Sequence, residues 1–373
     1  MTLPTDLLPE GLQDRLPASA QRITDAMRAC LDALHTHGYD RVRPPLLEFE
    51  DSLAGRMQGV QTRRMFRMVD PGSLRTLSLR SDITPQIGRI AATSLKDAPR
   101  PLRLAYCGDT AVMAASQLDP ARERLQLGAE LIGADSVAAA CEIVTLAIRA
   151  LSEAGLTGIS IDFTMPDLLD TLAKGDDAIT PQTLEAIRRE LDTKDAGGLK
   201  QAGGEAFLPL LYATGPIDEA LAKLREFDTA GALASRLDGL ETIAASVGDT
   251  ARITLDPTER HGFEYQSWLG FTIYAEGLRG AAGRGGTYTI AGSEEPATGF
   301  TLYVDRCAEA SNVAKQSHWT VYLPFGHDKE QARKLHALRQ GHRVITQISE
   351  GEDPAAFGCT HILEGDQLKP FGE

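Results

Sequence analysis

The segment Arg122-Glu-Arg-Leu-Gln-Leu-Gly-Ala-Glu-Leu131 alternates apolar and polar residues over most of its length. Successive side chains of a β-strand point to opposite faces, so this alternation predicts a strand with one apolar and one polar face. Gln126 and Glu130 share the polar face, four residues apart. Taken alone, such a face is typical of a strand surface that is exposed to solvent.

Neighbouring segments extend this strand into a sheet flanked by helices. The interval between residues 107 and 125 is short enough for an antiparallel hairpin. Alternation predicts further strands at 74–79, 102–107, 252–255, 262–276 and 287–290. Apolar residues at helical spacing predict helices at 19–37, 136–153 and 298–311. The predicted fold class is therefore α+β.

Pro44 and Pro45 interrupt an extended segment over residues 39–49. Proline has no N–H group to donate to a sheet, which favours an edge strand or an interface at this point. We therefore expect the segment at a border of the sheet and not at its centre.

The composition changes twice along the chain. Residues 165–248 are rich in Ala, Leu, Asp, Glu and Lys at helical spacing, which predicts a helical insertion. Residues 319–373 combine strand and helix patterns and predict a small C-terminal α/β segment. The predicted sheet core then comprises residues 1–164 and 249–318.

The overall composition is typical of a globular protein with a substantial core: 373 residues, of which 42% are apolar and 24% charged. No apolar run approaches the roughly 20 residues of a membrane span. The first residues also lack the pattern of a signal peptide. We therefore expect a cytoplasmic protein without a membrane partner.

The net charge of −14 argues against a nucleic-acid partner, because neutralising phosphates requires a basic surface. A short basic group, Arg63, Arg64 and Arg67, is the exception. Local patches are compatible with a negative total, so the charge disfavours tRNA binding without excluding it.

Patterns for metal or nucleophilic chemistry are lacking from the sequence. The five cysteines are scattered and have no C-x-x-C spacing, which indicates neither a disulfide framework nor a zinc site. The eight histidines form no H-x-x-x-H pair, and no G-x-S-x-G elbow occurs. We expect no catalytic residue, no metal and no cofactor.

A glycine-rich segment, Arg284-Gly-Gly-Thr-Tyr288, follows Gly280 and Gly283. The backbone N–H groups of such a segment can cradle a phosphate. Because it has neither G-x-G-x-x-G after a strand nor a G-K-[ST] ending, we favour a turn whose glycines let the backbone approach a ligand or another strand. Tyr288 would then point at whatever lies beneath.

Asp82 and Thr84 lie between a predicted strand and a helix signal at Pro85. Both residue types are common helix caps. Taken alone, a capping role is the favoured interpretation of either side chain.

Five segments, in order along the chain, resemble motifs of the histidyl-tRNA synthetase family. Leu79-Arg-Ser-Asp-Ile-Thr84 is similar to the family's L-R-P-E-G-T, and Gln126-Leu-Gly-Ala-Glu130 to its Q-L-G-C-E strand. Gly262-Phe-Glu-Tyr265 resembles G-L-D-Y-Y, and Gly285-Gly-Thr-Tyr288 resembles G-G-R-Y. Gly299-Phe-Thr-Leu-Tyr-Val-Asp-Arg306 resembles the third class II motif, G-F-A-x-G-x-E-R. The resemblance implies a class II aminoacyl-tRNA synthetase-like antiparallel sheet flanked by helices.

The positions that would bind ATP depart from the family pattern. Val112 stands in the run that corresponds to the second class II motif, where the family has an arginine that holds the ATP phosphates. Valine cannot replace the charge-assisted, often bidentate contact of an arginine. Tyr303 replaces the small glycine beneath adenine, and Arg306 matches the family but is isolated from its partners. The resemblance thus implies a degenerate ATP site and lost synthetase activity.

The amino-acid half of the site persists. The resemblance implies that Asp82 binds the α-ammonium group of histidine and that Thr84 adds a hydroxyl. It assigns the groups that bind the imidazole and the rest of the amino-acid head to Gln126, Glu130, Tyr265 and Tyr288.

A paralogous family, the regulatory subunits of ATP phosphoribosyltransferase, fits these departures and the short C-terminal segment. The resemblance implies a non-catalytic subunit required for the first step of histidine biosynthesis and for feedback inhibition by L-histidine. It also implies a hetero-octamer with a short-form catalytic subunit, built on a homodimeric core. Two alternatives stay open: a histidyl-tRNA synthetase-like protein, active or degenerate, that acts in translation, and a synthetase-like binding protein with an unrelated partner.

Overall fold

The computed structural model describes residues 7–54, 65–114, 120–174, 179–260, 266–313, 319–326, 329–365 and 367–371. Its contacts divide the chain into two units, Met1–Val313 and Ala314–Glu373. Within the described ranges, no helix combines the length and the apolar character needed to cross a membrane.

The first unit combines a large sheet with helices. Its strands are β1 Asp40–Arg41, β2 Leu47–Phe49, β3 Arg67–Val69, β4 Thr76–Leu79, β5 Leu102–Ala111, β6 Glu123–Ile132, β7 Ser160–Thr164, β8 Gly215–Pro216, β9 Arg252–Leu255, β10 Gln266–Tyr274, β11 Gly283–Ile290 and β12 Glu295–Tyr303. Its helices are α1 Pro17–Thr36, α2 Glu50–Ala54, α3 Thr84–Ala92, α4 Val137–Glu153, α5 Leu168–Leu172, α6 Pro181–Asp192, α7 Ala196–Gln201, α8 Ile217–Phe227, α9 Ala234–Val247 and α10 Val304–Ala310.

In the described part of this unit, nine strands form one sheet in the order β1-β5-β6-β12-β11-β10-β7-β9-β8. From β5 to β7 in this order, each strand is antiparallel to its neighbours. β1 joins β5 in parallel and β9 joins β7 in parallel, while β2, β4 and β3 form a separate small sheet. The predicted β5–β6 hairpin and the α+β fold class are confirmed.

One face of the large sheet is apolar and packs on helices. Leu127, Ala129 and Leu131 of β6 belong to the main buried cluster, which also contains residues of α1 and α4. The α4 helix is apolar around most of its circumference, and Ser136 caps its first turn by accepting a hydrogen bond of 3.3 Å from the backbone N–H of Ala139. Because strand side chains alternate, Gln126 and its neighbours are left on the opposite face.

The predicted helix at residues 298–311 is wrong over its first half. Strand β12 continues to Tyr303, and the helix α10 is confined to Val304–Ala310. The backbone of β12 pairs with β6 on one side and β11 on the other. These two ladders satisfy its N–H and C=O groups and override the weak local helical pattern.

Two further local predictions need correction. The glycine-rich segment is not a turn, because Gly285 and Gly286 lie within β11. Pro44 and Pro45 lie in the connection after β1, which is the terminal strand of the large sheet, and not within a strand. The prolines are therefore at a border of the sheet, as expected, but outside its ladder.

Residues 165–248 form the helices α5 to α9 and the two-residue strand β8. β8 pairs with β9 at the border of the large sheet. Leu237 and Leu240 of α9 are buried in the same cluster as β6 and α4. The insertion that we propose for this range thus shares the core of the sheet.

The second unit is a small α/β structure. It consists of β13 Thr320–Leu323, α11 Lys329–Arg339, β14 Arg343–Thr346, β15 His361–Glu364 and β16 Gln367–Pro370. The sheet order is β14-β13-β15-β16, with β16 antiparallel to β15 and the other pairs parallel. Its core contains Val321, Leu323 and Leu363, with Leu335 and Leu338 of α11 packed against them. The strand β16 was not predicted from the sequence.

Candidate functional site

A row of glycines crosses the polar face of the sheet next to Glu130. In the strand register Glu130 of β6 lies opposite Gly299 of β12, which lies opposite Gly286 of β11 and then Gly270 of β10. Residues that are directly opposite in antiparallel strands project to the same face. Three consecutive strands therefore present bare backbone beside one carboxyl group. We call Gly299, Gly286 and Gly270 the glycine floor.

The Glu130 side chain occupies its position because the glycine floor leaves room for it. A Cβ atom added at Gly299 would collide with Glu130 Oε2. Glu130 is 1% exposed and lines a small cavity on this face of the sheet. The lining of this cavity includes Thr84, Glu130, Gln266, Arg284, Tyr288 and Thr301.

Three hydroxyl groups hold the Glu130 carboxylate. Thr84 Oγ1 donates to Oε1 over 3.0 Å, and the phenol of Tyr288 donates to Oε2 over 2.8 Å. The phenol of Tyr106 is a third donor, at 3.4 Å from Oε1. Burial raises the pKa of Glu130 from 4.5 to about 8, although the Tyr288 and Thr84 hydroxyls oppose that shift. Both protonation states of this carboxyl are therefore accessible near neutral pH.

The start of α3 brings Thr84 to Glu130. Asp82 Oδ1 accepts a hydrogen bond of 3.3 Å from the backbone N–H of Thr84, two residues further on, and so closes a local turn. The predicted capping role is wrong, because the N-cap residue of α3 is Ile83 and no side chain caps that helix end. The Thr84 hydroxyl instead reaches across to β6 and belongs to the cavity. Asp82 and Thr84 therefore have different roles in the structure. Asp82 supports the turn, and Thr84 contacts the carboxyl group of Glu130.

Gln126 is buried and fixes the same turn from the sheet side. Its Oε1 accepts a hydrogen bond of 3.1 Å from the backbone N–H of Ile83. In the register it lies opposite Tyr303 of β12. Gln126 lies on the same strand face as Glu130, four residues away. Through Ile83 it holds the segment that carries Asp82 and Thr84.

Tyr265 lies outside the described residues, so its predicted place in the site remains a prediction. Of the other predicted ligand-binding residues, the structure brings Thr84, Glu130 and Tyr288 into direct contact.

The site contains residues that the sequence did not identify. The phenol of Tyr106 is completely buried and lies 2.5 Å from Thr301 Oγ1 and 3.2 Å from Thr84 Oγ1. Gly128, opposite Tyr106 in the register, leaves room for that phenol. Tyr106 lies in a strand that the alternation predicts, but its approach to Glu130 depends on pairing with β6, which no local pattern specifies.

Gln266 covers the far end of the glycine floor. Its Nε2 donates to the carbonyl of Gly285 over 2.6 Å. A Cβ added at Gly286 would lie 2.7 Å from the same Nε2. The carboxamide of Gln266 therefore lies against the bare backbone and closes this side of the cavity.

The degenerate ATP-site positions lie around the end of β12. The backbone N–H of Val112 donates to the carbonyl of Arg122 over 2.8 Å, and its side chain is apolar. The guanidinium of Arg306 lies 5.8 Å above the ring of Tyr303 and donates to the carbonyl of Ala281 over 3.0 Å. Arg306 is thus already engaged by the protein itself.

Comparison with known proteins identifies the family. The family model for histidyl-tRNA synthetase matches residues 11–307. The ATP phosphoribosyltransferase regulatory subunit of Paramagnetospirillum magneticum is 37% identical over 97% of this chain and 97% of its own length. The chain belongs to the ATP phosphoribosyltransferase regulatory subunit family.

Other ATP phosphoribosyltransferase regulatory subunits agree with this assignment. That of Rhodospirillum rubrum is 38% identical over 98% of this chain and 96% of its own length. A crystal structure described as an ATP phosphoribosyltransferase regulatory subunit/histidyl-tRNA synthetase from Bacillus halodurans C has a TM-score of 0.79 and 26% identity, over 96% of this chain and 97% of that one. The class II synthetase-like fold is confirmed. The names of these relatives denote a regulatory subunit, which also confirms the prediction that the chain is not itself an enzyme.

Proposed function

We propose that this regulatory subunit binds L-histidine in the cavity at Glu130 and thereby conveys feedback inhibition to a short-form catalytic subunit of ATP phosphoribosyltransferase. The observation that carries the proposal is the buried Glu130 carboxyl, surrounded by three hydroxyl donors beside the glycine floor. The names of the relatives supply the class of partner, because a regulatory subunit acts on a catalytic one.

The imidazole ring of histidine matches the groups at Glu130. A neutral imidazole offers one N–H donor and one acceptor nitrogen, and its protonated form offers two donors. Ionised Glu130 accepts from a ring N–H. Because the pKa of Glu130 is raised to about 8, the protonated carboxyl is also available as a donor to the acceptor nitrogen. One proton shared between ring and carboxyl then satisfies both groups.

The remaining predicted residues suit the amino-acid head. Asp82 is half-buried at the turn before α3, and a carboxylate is a suitable acceptor for an α-ammonium group. Thr84 and Gln126 line or support the same turn. Tyr265 would complete the ring contacts.

The surroundings of the degenerate ATP positions support the loss of adenylate chemistry. Val112 has no group that binds a phosphate, and Tyr303 occupies the end of β12 with Arg306 over its ring. Adenylate formation, in which the amino-acid carboxylate attacks the α-phosphate of ATP and pyrophosphate leaves, needs cationic donors aimed at the phosphates. We propose that this half of the ancestral site was abandoned.

Histidine regulates only if it binds one state of the assembly better than another. A coupling free energy of about 1–3 kcal/mol between ligand and partner is enough for useful inhibition. We propose the hetero-octamer with a homodimeric core as that assembly, and no part for tRNA in it.

The test combines calorimetry with an activity assay. We expect L-histidine to bind the purified chain, and the chain to raise the turnover of a short-form catalytic subunit given ATP and phosphoribosyl pyrophosphate. Histidine should then lower that turnover. Glu130→Ala should weaken histidine binding by at least about thirtyfold, because a buried charged contact is lost. The matched control Glu153→Ala, at an exposed position of α4, should not.

Two outcomes contradict the proposal. One is a chain that neither joins the catalytic subunit nor changes its turnover. The other is histidine-dependent exchange of pyrophosphate into ATP by the purified chain, which is the reaction of an active synthetase.

A further inference from the structure

Arg284 is the cationic residue of the cavity. It lies on β11 two residues before Gly286, so its side chain projects to the same face as the glycine floor. It is opposite Thr301 of β12 and Thr272 of β10 in the register. The side chain is half-buried and lines the cavity together with Glu130.

Among the residues that the structure describes, the guanidinium of Arg284 has no anionic partner. Its Nε is buried and makes no hydrogen bond, and no carboxylate in the described ranges forms an ion pair with it. Two other partly buried arginines have carboxylate partners: Arg89 pairs with Glu48, and Arg100 pairs with Glu295. A guanidinium keeps its charge at all physiological pH values, and burying it without a partner is unfavourable. The position therefore suits an anion supplied by a ligand.

Arg284 and Glu130 stand at a separation that suits a small zwitterion. They are two strands and two residues apart, which places their Cα atoms about 12 Å from each other at ordinary sheet spacings. Both side chains line the same cavity. A ligand with a basic ring at one end and a carboxylate at the other fits between them.

Arg284 and Asp82 carry opposite charges, and both charges act on the pKa of the Tyr303 phenol. Burial raises the pKa of the Tyr303 phenol, the positive charge of Arg284 lowers it, and the negative charge of Asp82 raises it. An α-carboxylate and an α-ammonium group, attached to one carbon atom, match this pair of opposite charges.

We propose that Arg284 binds the α-carboxylate of the amino-acid ligand and that it selects free amino acids over the corresponding amines and esters. This inference rests on the proposed histidine binding at Glu130. The planar guanidinium accommodates a carboxylate through two parallel N–H donors, and its Nε is one of the donors on that edge. Glu130 identifies the ring, and Arg284 identifies the carboxylate.

The experiment compares L-histidine with histamine, which has the same ring and ammonium group but no carboxylate. Titration calorimetry is performed on the wild-type chain and on Arg284→Met, whose side chain is of similar length and uncharged. We expect the wild type to bind histidine tenfold to a hundredfold more tightly than histamine, roughly the contribution of one charged contact. Arg284→Met should lose that preference by weakening histidine while leaving histamine unchanged.

Arg284→Lys and Arg252→Met serve as further variants. Lysine keeps the charge without the fork, so Arg284→Lys should retain part of the preference, which also covers the case in which Arg284→Met fails to fold. Arg252 is exposed on β9, and its replacement should change neither affinity.

The role of Arg284 and the binding of histidine at Glu130 can fail separately in these titrations. If the wild type binds histidine and histamine equally, or if Arg284→Met and Arg284→Lys keep the full preference for histidine, the role of Arg284 is overturned while histidine binding stands. If the wild type binds neither compound, the proposed function fails and this inference falls with it.

Discussion

The phenol of Tyr288 on β11 donates a hydrogen bond of 2.8 Å to Glu130 Oε2 on β6, across the intervening strand β12. On β12, Glu130 lies opposite Gly299 and Tyr288 lies opposite Ala297, so only small residues stand between the two side chains. Burial and the negative charge of Glu130 raise the pKa of the phenol well above its usual value, so it remains a donor. The two residues form a fixed pair beneath the cavity.

Removal of this donor should weaken the site without emptying it. Tyr288→Phe retains the ring, which packs with Ile132 and Ile290, but leaves Glu130 Oε2 without the phenol. We expect histidine affinity to fall about tenfold and the free energy of unfolding by about 1–2 kcal/mol. Calorimetry and urea unfolding measure the two effects. Tyr212→Phe, at a position 68% exposed, is the control, and equal behaviour of both variants would contradict the role of Tyr288.

The raised pKa of Glu130 predicts a pH dependence of stability. The unfolded chain loses this proton near pH 4.5 and the folded chain near pH 8, so between these values the folded state binds more protons. The free energy of unfolding should therefore be highest below this window and fall as pH rises through it, by an amount of the order of a few kcal/mol.

Glu130→Gln removes the titrating group and should flatten this contribution. Urea unfolding at about pH 5 and about pH 8 gives the comparison, with Glu153→Gln as a matched exposed control. An unchanged difference between the two pH values in Glu130→Gln would show that other groups dominate.

Gly299→Ala should damage both stability and binding. The added methyl group collides with Glu130 Oε2 and must displace a buried carboxyl from its three hydroxyl donors. We expect a loss of about 1–3 kcal/mol in the free energy of unfolding and at least a tenfold loss of histidine affinity. Gly341→Ala, where the same addition meets open space, should have little effect. Full affinity in Gly299→Ala would argue against Glu130 as the ligand's partner.

Arg80 should prove essential for the turn that carries Asp82 and Thr84. The Arg80 guanidinium donates to the carbonyls of Asp109 at 2.7 Å and Pro44 at 3.1 Å, and it is 6% exposed. Arg80→Met would leave these acceptors unsatisfied and cost about 2–4 kcal/mol of stability. Thermal or urea unfolding checks the value against Arg43→Met, an exposed neighbour. A loss no larger than that of the control would exclude the structural role.

The sequence predicted the strand that holds Glu130 because the period of two is a local property. Alternation alone separated Leu127 and Leu131 from Gln126 and Glu130, and the structure has them on opposite faces. Local spacing was misleading at residues 298–303. It predicted a helix there, but the segment is a strand that pairs with β6 and β11. Pairing partners are distant in sequence, so no short window contains the deciding information.

The other residues of the candidate site could not be predicted, because their roles also depend on strand pairing. Gly285 and Gly286 suggested a turn because glycine is most often read as a mark of loops, whereas here it provides close packing within a strand. Tyr106 and Arg284 acquire their significance from the register, which brings them beside Glu130. Without the family resemblance, Asp82 would have been assigned to capping alone, whereas the N-cap residue of α3 is Ile83 and Asp82 closes the turn before it.

The glycine floor has a consequence for how this site can change over generations. Its surface is made of main-chain atoms, so substitutions there can only add bulk and fill the cavity. No replacement on that side can introduce a new hydrogen-bonding group while preserving the space. A change of ligand specificity must therefore come from substitutions at the side chains that line the cavity, such as Thr84, Gln266 and Arg284. The glycine floor itself has to stay unchanged.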